Sequence, residues 1–279
     1  MSTETVKPGT APKPGWSPRD PLRGATGGKE SRFVRMLPIL SPIGLLVLWE
    51  IASRVGVLDD RFFPAPTAIV AQIGPLIESG ELLSNTWISV QRVLIGFVIG
   101  AVPGLLLGLA MGLYRYLRLI VEPLVAATYP VPKSAIFPLF LLLFGLGEAS
   151  KVAVVAVGVF FPIVINTAAG VLAIAPVYRD VGRNFRASGF QTFRTVALPG
   201  ALPLIMTGVK LAIGMALMLI VAAEMLGGDS GLGYLIWNSW QTFSVETMYI
   251  ALIVISVLGV VFNLIVNEVE RLLVPWQRS

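Results

Sequence analysis

Lys133 sits in the run TYPVPKSAIF, inside an otherwise apolar stretch and directly after Pro132. An ammonium group in a lipid-spanning segment is costly, so it marks either a functional site or a packing contact. Pro130 and Pro132 interrupt helical hydrogen bonding there and leave a helix N-terminus facing the gap. That arrangement suits an anion: Lys133 supplies a point charge, Ser134 a hydroxyl, and Tyr129 stands at the same break. The same residues also read as structure, with Lys133 snorkelling to an interface or pairing with Glu224 or Glu50. Glu50, in LLVLWEIAS, reads as a packing carboxylate partnered by Arg54 or Arg92 or as part of a solute path. Arg92 itself is expected to snorkel from the outer end of its helix. Glu224 precedes GGDSGLGYL, a glycine-rich loop read as an external re-entrant turn or gate. No Lys follows those glycines, so they make a poor phosphate cradle.

The chain has no histidine and no cysteine. Imidazole-based triads and zinc sites, thiolate nucleophiles and disulfides are therefore excluded. No paired carboxylates stand out within the apolar runs, which argues against an intramembrane enzyme. There is also no GxxxxGK[ST], so ATP phosphates have no cradle on this chain.

These residues must be positioned by membrane helices. Only 13% of residues are charged and 55% are hydrophobic, where soluble domains carry about 25% charged residues. Mean hydropathy is +0.80. At about 20 residues per crossing, six spans are expected, near 36–57, 89–114, 117–144 (interrupted at YPVPK), 151–173, 202–226 and 247–273. Glycines at 96, 100, 104, 108 and 112 recur every fourth residue, a spacing for close helix approach within the subunit or across a dimer. Residues 1–31 are rich in Pro, Gly, Ser and Lys/Arg and are expected to be a disordered tail, leaving 32–279 as the membrane domain. Basic residues fall in that tail, at Arg115 and Arg118, in the loop after span four and at the C-terminus. Residues 58–88 and the link from span five to span six are acidic. The positive-inside rule then puts both termini in the cytoplasm. Nothing in this distribution calls for nucleic acid. Trp237 and Trp240 fall at the outer interface, as an aromatic belt or a surface for an external protein.

The cytoplasmic loop of about 176–198 carries two stripes. Val177, Val181 and Phe185 share one helical face, and Arg179, Arg183 and Arg186 share another. Ser188-Gly189-Phe190-Gln191 matches a capping box, hence a second helix start, with Phe190, Phe193 and Ala197 continuing the apolar face. Leu198-Pro199 is expected to end that helix. Two short helices and a turn suit either docking on a partner or rest on anionic headgroups.

The segment DVGRNFRASGFQTFRTVALPGALPLI resembles the cytoplasmic loop of permease subunits of bacterial ABC importers, in the branch that imports nitrate, sulfonates, taurine and bicarbonate. Asp180-Val181-Gly182 stands where the family has Glu-Ala-Ala, Arg186 stands at its glycine, and Val196 to Pro199 matches its end. FFPAPTAIV, RVLIGFVIG, FPLFLLLFGLGEASK and VAAEMLGGDSGLGYLI are similar to the same branch, so the likeness covers about 36–276. It implies an all-α, six-span, type I importer-like membrane bundle in the inner membrane. It implies that Asp180, Gly182, Arg183, Arg186, Ala187, Ser188, Gly189 and Phe190 form a coupling helix seated on a separate ATPase. It further implies that ATP and Mg2+ stay on partner ATPase subunits, that a second permease copy completes the pathway as a homodimer, and that an external substrate-binding protein delivers the solute. The alternatives are an ATP-independent transporter or channel, or an importer of a non-anionic solute such as a pyrimidine precursor.

Overall fold

The computed structural model describes residues 32–178 and 184–277. The expected tail at 1–31 lies outside the described residues. Among those described, every regular element is helical. The chain divides into two units at Ile51/Ala52. Helix α1 (Arg32–Arg54) starts in the first and ends in the second, and covers most of the first expected span.

The second unit holds the rest. Pro66, with its preset φ, opens α2 (Pro66–Glu78). Gly80, at φ 74°, turns the chain into α3 (Glu81–Leu113). Then follow α4 (Arg115–Thr128), a 3-10 turn (Lys133–Ile136), α5 (Phe137–Phe144) and α6 (Glu148–Leu172). After the loop come α7 (Gly189–Thr192), a π turn (Phe193–Ala197), α8 (Leu198–Gly227), α9 (Leu232–Gln241) and α10 (Val245–Leu273). Among the described residues, four stretches are long and apolar enough to cross a bilayer: α3, α6, the α7–α8 run and α10. The pair α4 and Lys133–Phe144, bent by 87° at the proline break, makes a fifth.

Packing fixes the direction of each crossing. The glycine stripe of α3 lies on α6: Gly96 faces Val155, Gly104 faces the Phe160 carbonyl and Ile163, and Gly112 faces Val171. Both numbers rise together, so α3 and α6 are parallel. The chain between them must return, and the broken α4–α5 pair makes that return. Gly208 lies on Pro162 and Asn166 while Gly170 lies on Ala201, so α8 runs against α6. Lys210 meets Glu270 and Gly259 meets Leu217, so α10 runs against α8. One end of the bundle therefore gathers Tyr114–Arg115, the stretches 173–178 and 184–198 and Pro275–Gln277, with Arg115, Arg186, Arg194 and Arg271. The other end gathers Gly80, the Gly145–Gly147 link and the loop 228–231, with Glu81, Glu148 and Asp229.

The structure corrects the sequence reading at Leu198-Pro199. The helix does not stop there. Leu198 is helical, at φ −66° and ψ −50°, and its N–H reaches back five residues to the Phe193 carbonyl. The widened π turn takes up the missing N–H and bulky ring of Pro199, so the second short helix runs on into α8.

The glycine seam yields a paired test. A Cβ on Gly100 would strike the Ala156 carbonyl, whereas one on Gly74 of α2 meets nothing within 4 Å. Gly100→Ala is expected to cost about 1–3 kcal/mol. Gly74→Ala is expected to stabilise by about 0.5–1 kcal/mol. Thermal unfolding of the purified chain in detergent reads both.

Candidate functional site

Three clusters carry the polar chemistry. The first closes the acidic end of the bundle. Asn85, Ser89 and Arg92 lie at i, i+4 and i+7 on α3 and face the loop 228–231. The leading N–H groups of α9 are satisfied by side chains from elsewhere: Gly231 N donates to Asn85 Oδ1 at 2.7 Å, Leu232 N to Ser89 Oγ at 2.8 Å and Gly233 N to Glu224 Oε2 at 2.9 Å. Glu224 thus places a carboxylate at the positive end of α9. The Ser89 hydroxyl points between both Glu224 oxygens, at 2.9 and 2.8 Å. Gly231 is at φ 104°, and a Cβ there would enter the Glu224 carboxyl group, so only glycine fits.

Arg92 closes the cluster. Its Nη1 donates to Glu224 Oε1 at 2.8 Å and to the Ser230 carbonyl at 2.7 Å. Its Nη2 donates to Glu148 Oε1 at 2.5 Å and Ser230 Oγ at 2.9 Å, and its Nε to Glu148 Oε2 at 2.6 Å. All five guanidinium protons are placed. Lys151 adds ion pairs to Glu148 and Asp229 at 3.8 Å each. The Ser230 hydroxyl donates onward to Asp229 Oδ1 at 3.1 Å. That bond, first, and then Lys151 hold the Asp229 carboxyl below its ordinary range. The resulting stability is present at neutral pH and lost as pH falls through the lowered value. Arg92 is 2% exposed, and Glu224 0%. The expectation that Arg92 snorkels is therefore corrected: the buried Glu224 carboxylate, the exposed Glu148 carboxylate and the Ser230 carbonyl and hydroxyl replace the water that it would have sought.

The second cluster is the break between α4 and α5. The Lys133 ammonium donates to the carbonyls of Thr128, Tyr129 and Val131 at 2.9, 2.9 and 2.8 Å. It lies 4.3 Å from the Phe161 ring centroid and 5.8 Å from that of Tyr129. Lys133 is buried and does not reach an interface, and its bonds meet neither Glu224 nor Glu50. Tyr129 and Ser134 flank it and are exposed. Glu50 is half-buried on α1 within the first unit.

The third cluster is the loop of the basic end. Asp180, Gly182 and Arg183 lie outside the described residues. Arg186 takes φ 52°, the left-handed conformation that glycine occupies most readily. The capping box forms as expected, with Gln191 N donating to Ser188 Oγ at 3.2 Å and Ser188 N donating to Gln191 Oε1 at 2.8 Å. Ala187 is half-buried, and Ser188, Gly189 and Phe190 are exposed. The expected apolar face divides: Phe193 packs on the cluster of Leu109, Val171, Ala201 and Ile205, Ala197 is buried, and Phe185 and Phe190 project outward.

Several participants went unnoticed in the sequence. Asn85 and Ser89 share the helical face of Arg92, and that spacing was the available signal. Lys151, and Lys210 with its 2.5 Å bond to Glu270, are charges within apolar helices, which alone mark them for attention.

A bundle of apolar helices with a broken span, one end bolted by buried charge and the other carrying a capped basic loop, defines a polytopic membrane transport subunit. Residues 104–279 match the family described as "Binding-protein-dependent transport system inner membrane component", and the chain belongs to that family. It is a permease component, not an enzyme. It is 37% identical to a protein of Escherichia coli named as the aliphatic sulfonates transport permease SsuC, over 88% of this chain and 93% of that one. The corresponding Bacillus subtilis protein is 34% identical over 89% and 90%. The nitrate import permease NrtB of Synechocystis is 31% identical over 87% and 90%. Among solved structures, a chain of the MetNI methionine ABC transporter shares the fold, with TM-score 0.52 and 20% identity over 73% of this chain and 98% of that one.

Arg92→Leu strands Glu224 in the interior and is expected to cost about 3–5 kcal/mol. Glu148→Gln touches a partner exposed to water and is expected to cost under about 1 kcal/mol. Arg186→Gly removes a left-handed non-glycine residue and is expected to gain about 1 kcal/mol. Unfolding midpoints in detergent, compared across the three variants, check the order.

Proposed function

We propose that this chain is the membrane permease of an ATP-driven importer for a small anion and that the loop 176–198 is where separate ATPase subunits dock. The observation that carries the reading is the loop itself. It is capped by Ser188 and Gln191, presents Phe185 and Phe190 to the outside, and continues without interruption through a π turn into the spanning helix α8. Exposed aromatics beside arginines are the composition of protein interfaces. A rigid connection to α8 lets movement of the docked partner reach the bundle.

The family supplies the partners: an ATPase, with its ATP and Mg2+, and an extracytoplasmic binding protein. A second copy of this chain, as a homodimer, completes the pathway in this reading. The basic end, with Arg115, Arg186, Arg194 and Arg271, faces the cytoplasm, and both termini lie there, in the inner membrane. The anion preference rests on charge. Arg92, Lys151 and Lys210 each have a carboxylate partner, whereas Lys133 is surrounded by carbonyls and rings. Its charge is therefore not cancelled and biases the path beside Tyr129 and Ser134 toward anions. Relatives named for sulfonates, nitrate and taurine fit that bias.

The test is isolation of the tagged chain in mild detergent, with the ATPase activity of the eluate as the readout. An ATPase is expected to accompany the native chain and to be lost when Asp180 and Arg183 are changed to opposite charges. A chain that elutes alone and moves anions into liposomes without ATP would overturn the reading.

A further inference from the structure

We propose that the Lys133 ammonium is a tethered cation that sets the break in the third span, acting as a positioning residue and not as a ligand for the solute. The proline pair creates the need. In a continuous helix the Thr128 carbonyl would take the N–H of residue 132, but Pro132 has none. The Tyr129 and Val131 carbonyls are likewise left at the end of α4, where the chain turns by 87°. The Lys133 side chain folds back over this end and gives one proton to each of the three carbonyls, at 2.9, 2.9 and 2.8 Å. An ammonium has three protons, so none remains for a solute. The Phe161 ring, 4.3 Å away on α6, closes the remaining side and ties the cage to the core. Carbonyls converging on a monovalent cation at an unwound helix end also describe an alkali-metal site, with the difference that here the cation is covalently attached.

The cage explains how an elbow of two half-helices keeps one angle inside a bilayer. Without that donor the Tyr129 and Val131 carbonyls would lose the ammonium, Thr128 would keep only the Val131 N–H at 3.3 Å, and the half-helices would have no fixed relation. It acts on the geometry of the path and through its field, so it holds whichever energy source drives the chain.

The test uses the absence of cysteine in the chain. Spin labels at Leu119→Cys on α4 and Leu142→Cys on α5, both exposed positions, report the angle of the elbow by electron–electron distance measurement in the full-length chain in lipid nanodiscs. The native residue is expected to give one narrow distribution, and Lys133→Ala a broad one. Propylammonium chloride is expected to narrow it again, while tetramethylammonium chloride at the same concentration, which has no N–H, does not. Lys133→Gln, with two amide protons and no charge, is expected to broaden the distribution and to respond to propylammonium in the same way. It serves if the alanine variant fails to reach the membrane. With taurine and nitrate as probes in the complete transporter, Lys133→Ala is expected to lower the maximal uptake rate about tenfold through loss of the competent population. A native distribution in both variants, a broadening that propylammonium does not reverse, or a raised KM at native distances would each overturn the proposal. The distance outcomes do not depend on whether an ATPase binds the loop, whereas the uptake outcome rests on that reading.

Discussion

Backbone contact between α3 and α6 governs the arrangement of everything else. Five glycines at every fourth position remove the side chains from one face of α3, and Val155, Ile163, Thr167 and Val171 of α6 fill the space so gained. Dispersion at such short separation is what holds helices together where lipid removes the hydrophobic drive between them. Because the two helices are parallel and leave no gap, the chain that joins them must return alongside. It does so as a broken segment held by its own lysine. The continuous antiparallel partner, α8, takes the other side of α6 through Gly158, Gly170 and Gly208. A three-helix spine results, and the remaining elements are attached to it.

The two ends of that spine are treated differently. At the acidic end, Arg92 joins α3, α6, α8 and the loop 228–231 in one hydrogen-bonded cluster, and every buried donor and acceptor of Arg92, Ser89 and Glu224 is used. Such a cluster adds little net stability over apolar packing, but losing one of its buried members, Arg92, Ser89 or Glu224, leaves another unsatisfied, so it specifies one geometry. At the basic end the connection is a local cap, a left-handed arginine and a π turn, all features that leave side chains pointing outward. Rigidity sits at one end, and accessible surface at the other.

The sequence revealed what depends on periodicity and composition. Five of the six expected membrane spans, the four-residue glycine repeat, the interruption at YPVPK and the capping box at Ser188 all rest on short-range rules and appear in the structure, while the expected span near 36–57 is represented by the helix α1 and is not among those five. What it hid depends on contacts between distant segments. Arg92 looked like a charge seeking the interface because its acceptors, Glu148 and Glu224, lie 56 and 132 residues away. Lys133 looked poised for a solute because nothing in the sequence said that its own preceding carbonyls would claim its protons. Pro199 looked like a stop signal because a π turn, which admits it, has no pattern of its own.

The cap of α9 has a consequence for biosynthesis. The acceptors for its first N–H groups belong to Asn85 and Ser89, 146 and 143 residues earlier in the chain, and to Glu224. A ten-residue helix without its own cap is marginal when isolated. During synthesis α9 therefore has no stable form until α3 and α8 already stand side by side. Its docking is a late step of assembly, and the ordered loop 228–231 is a built-in sign that the earlier helices have inserted in their correct order.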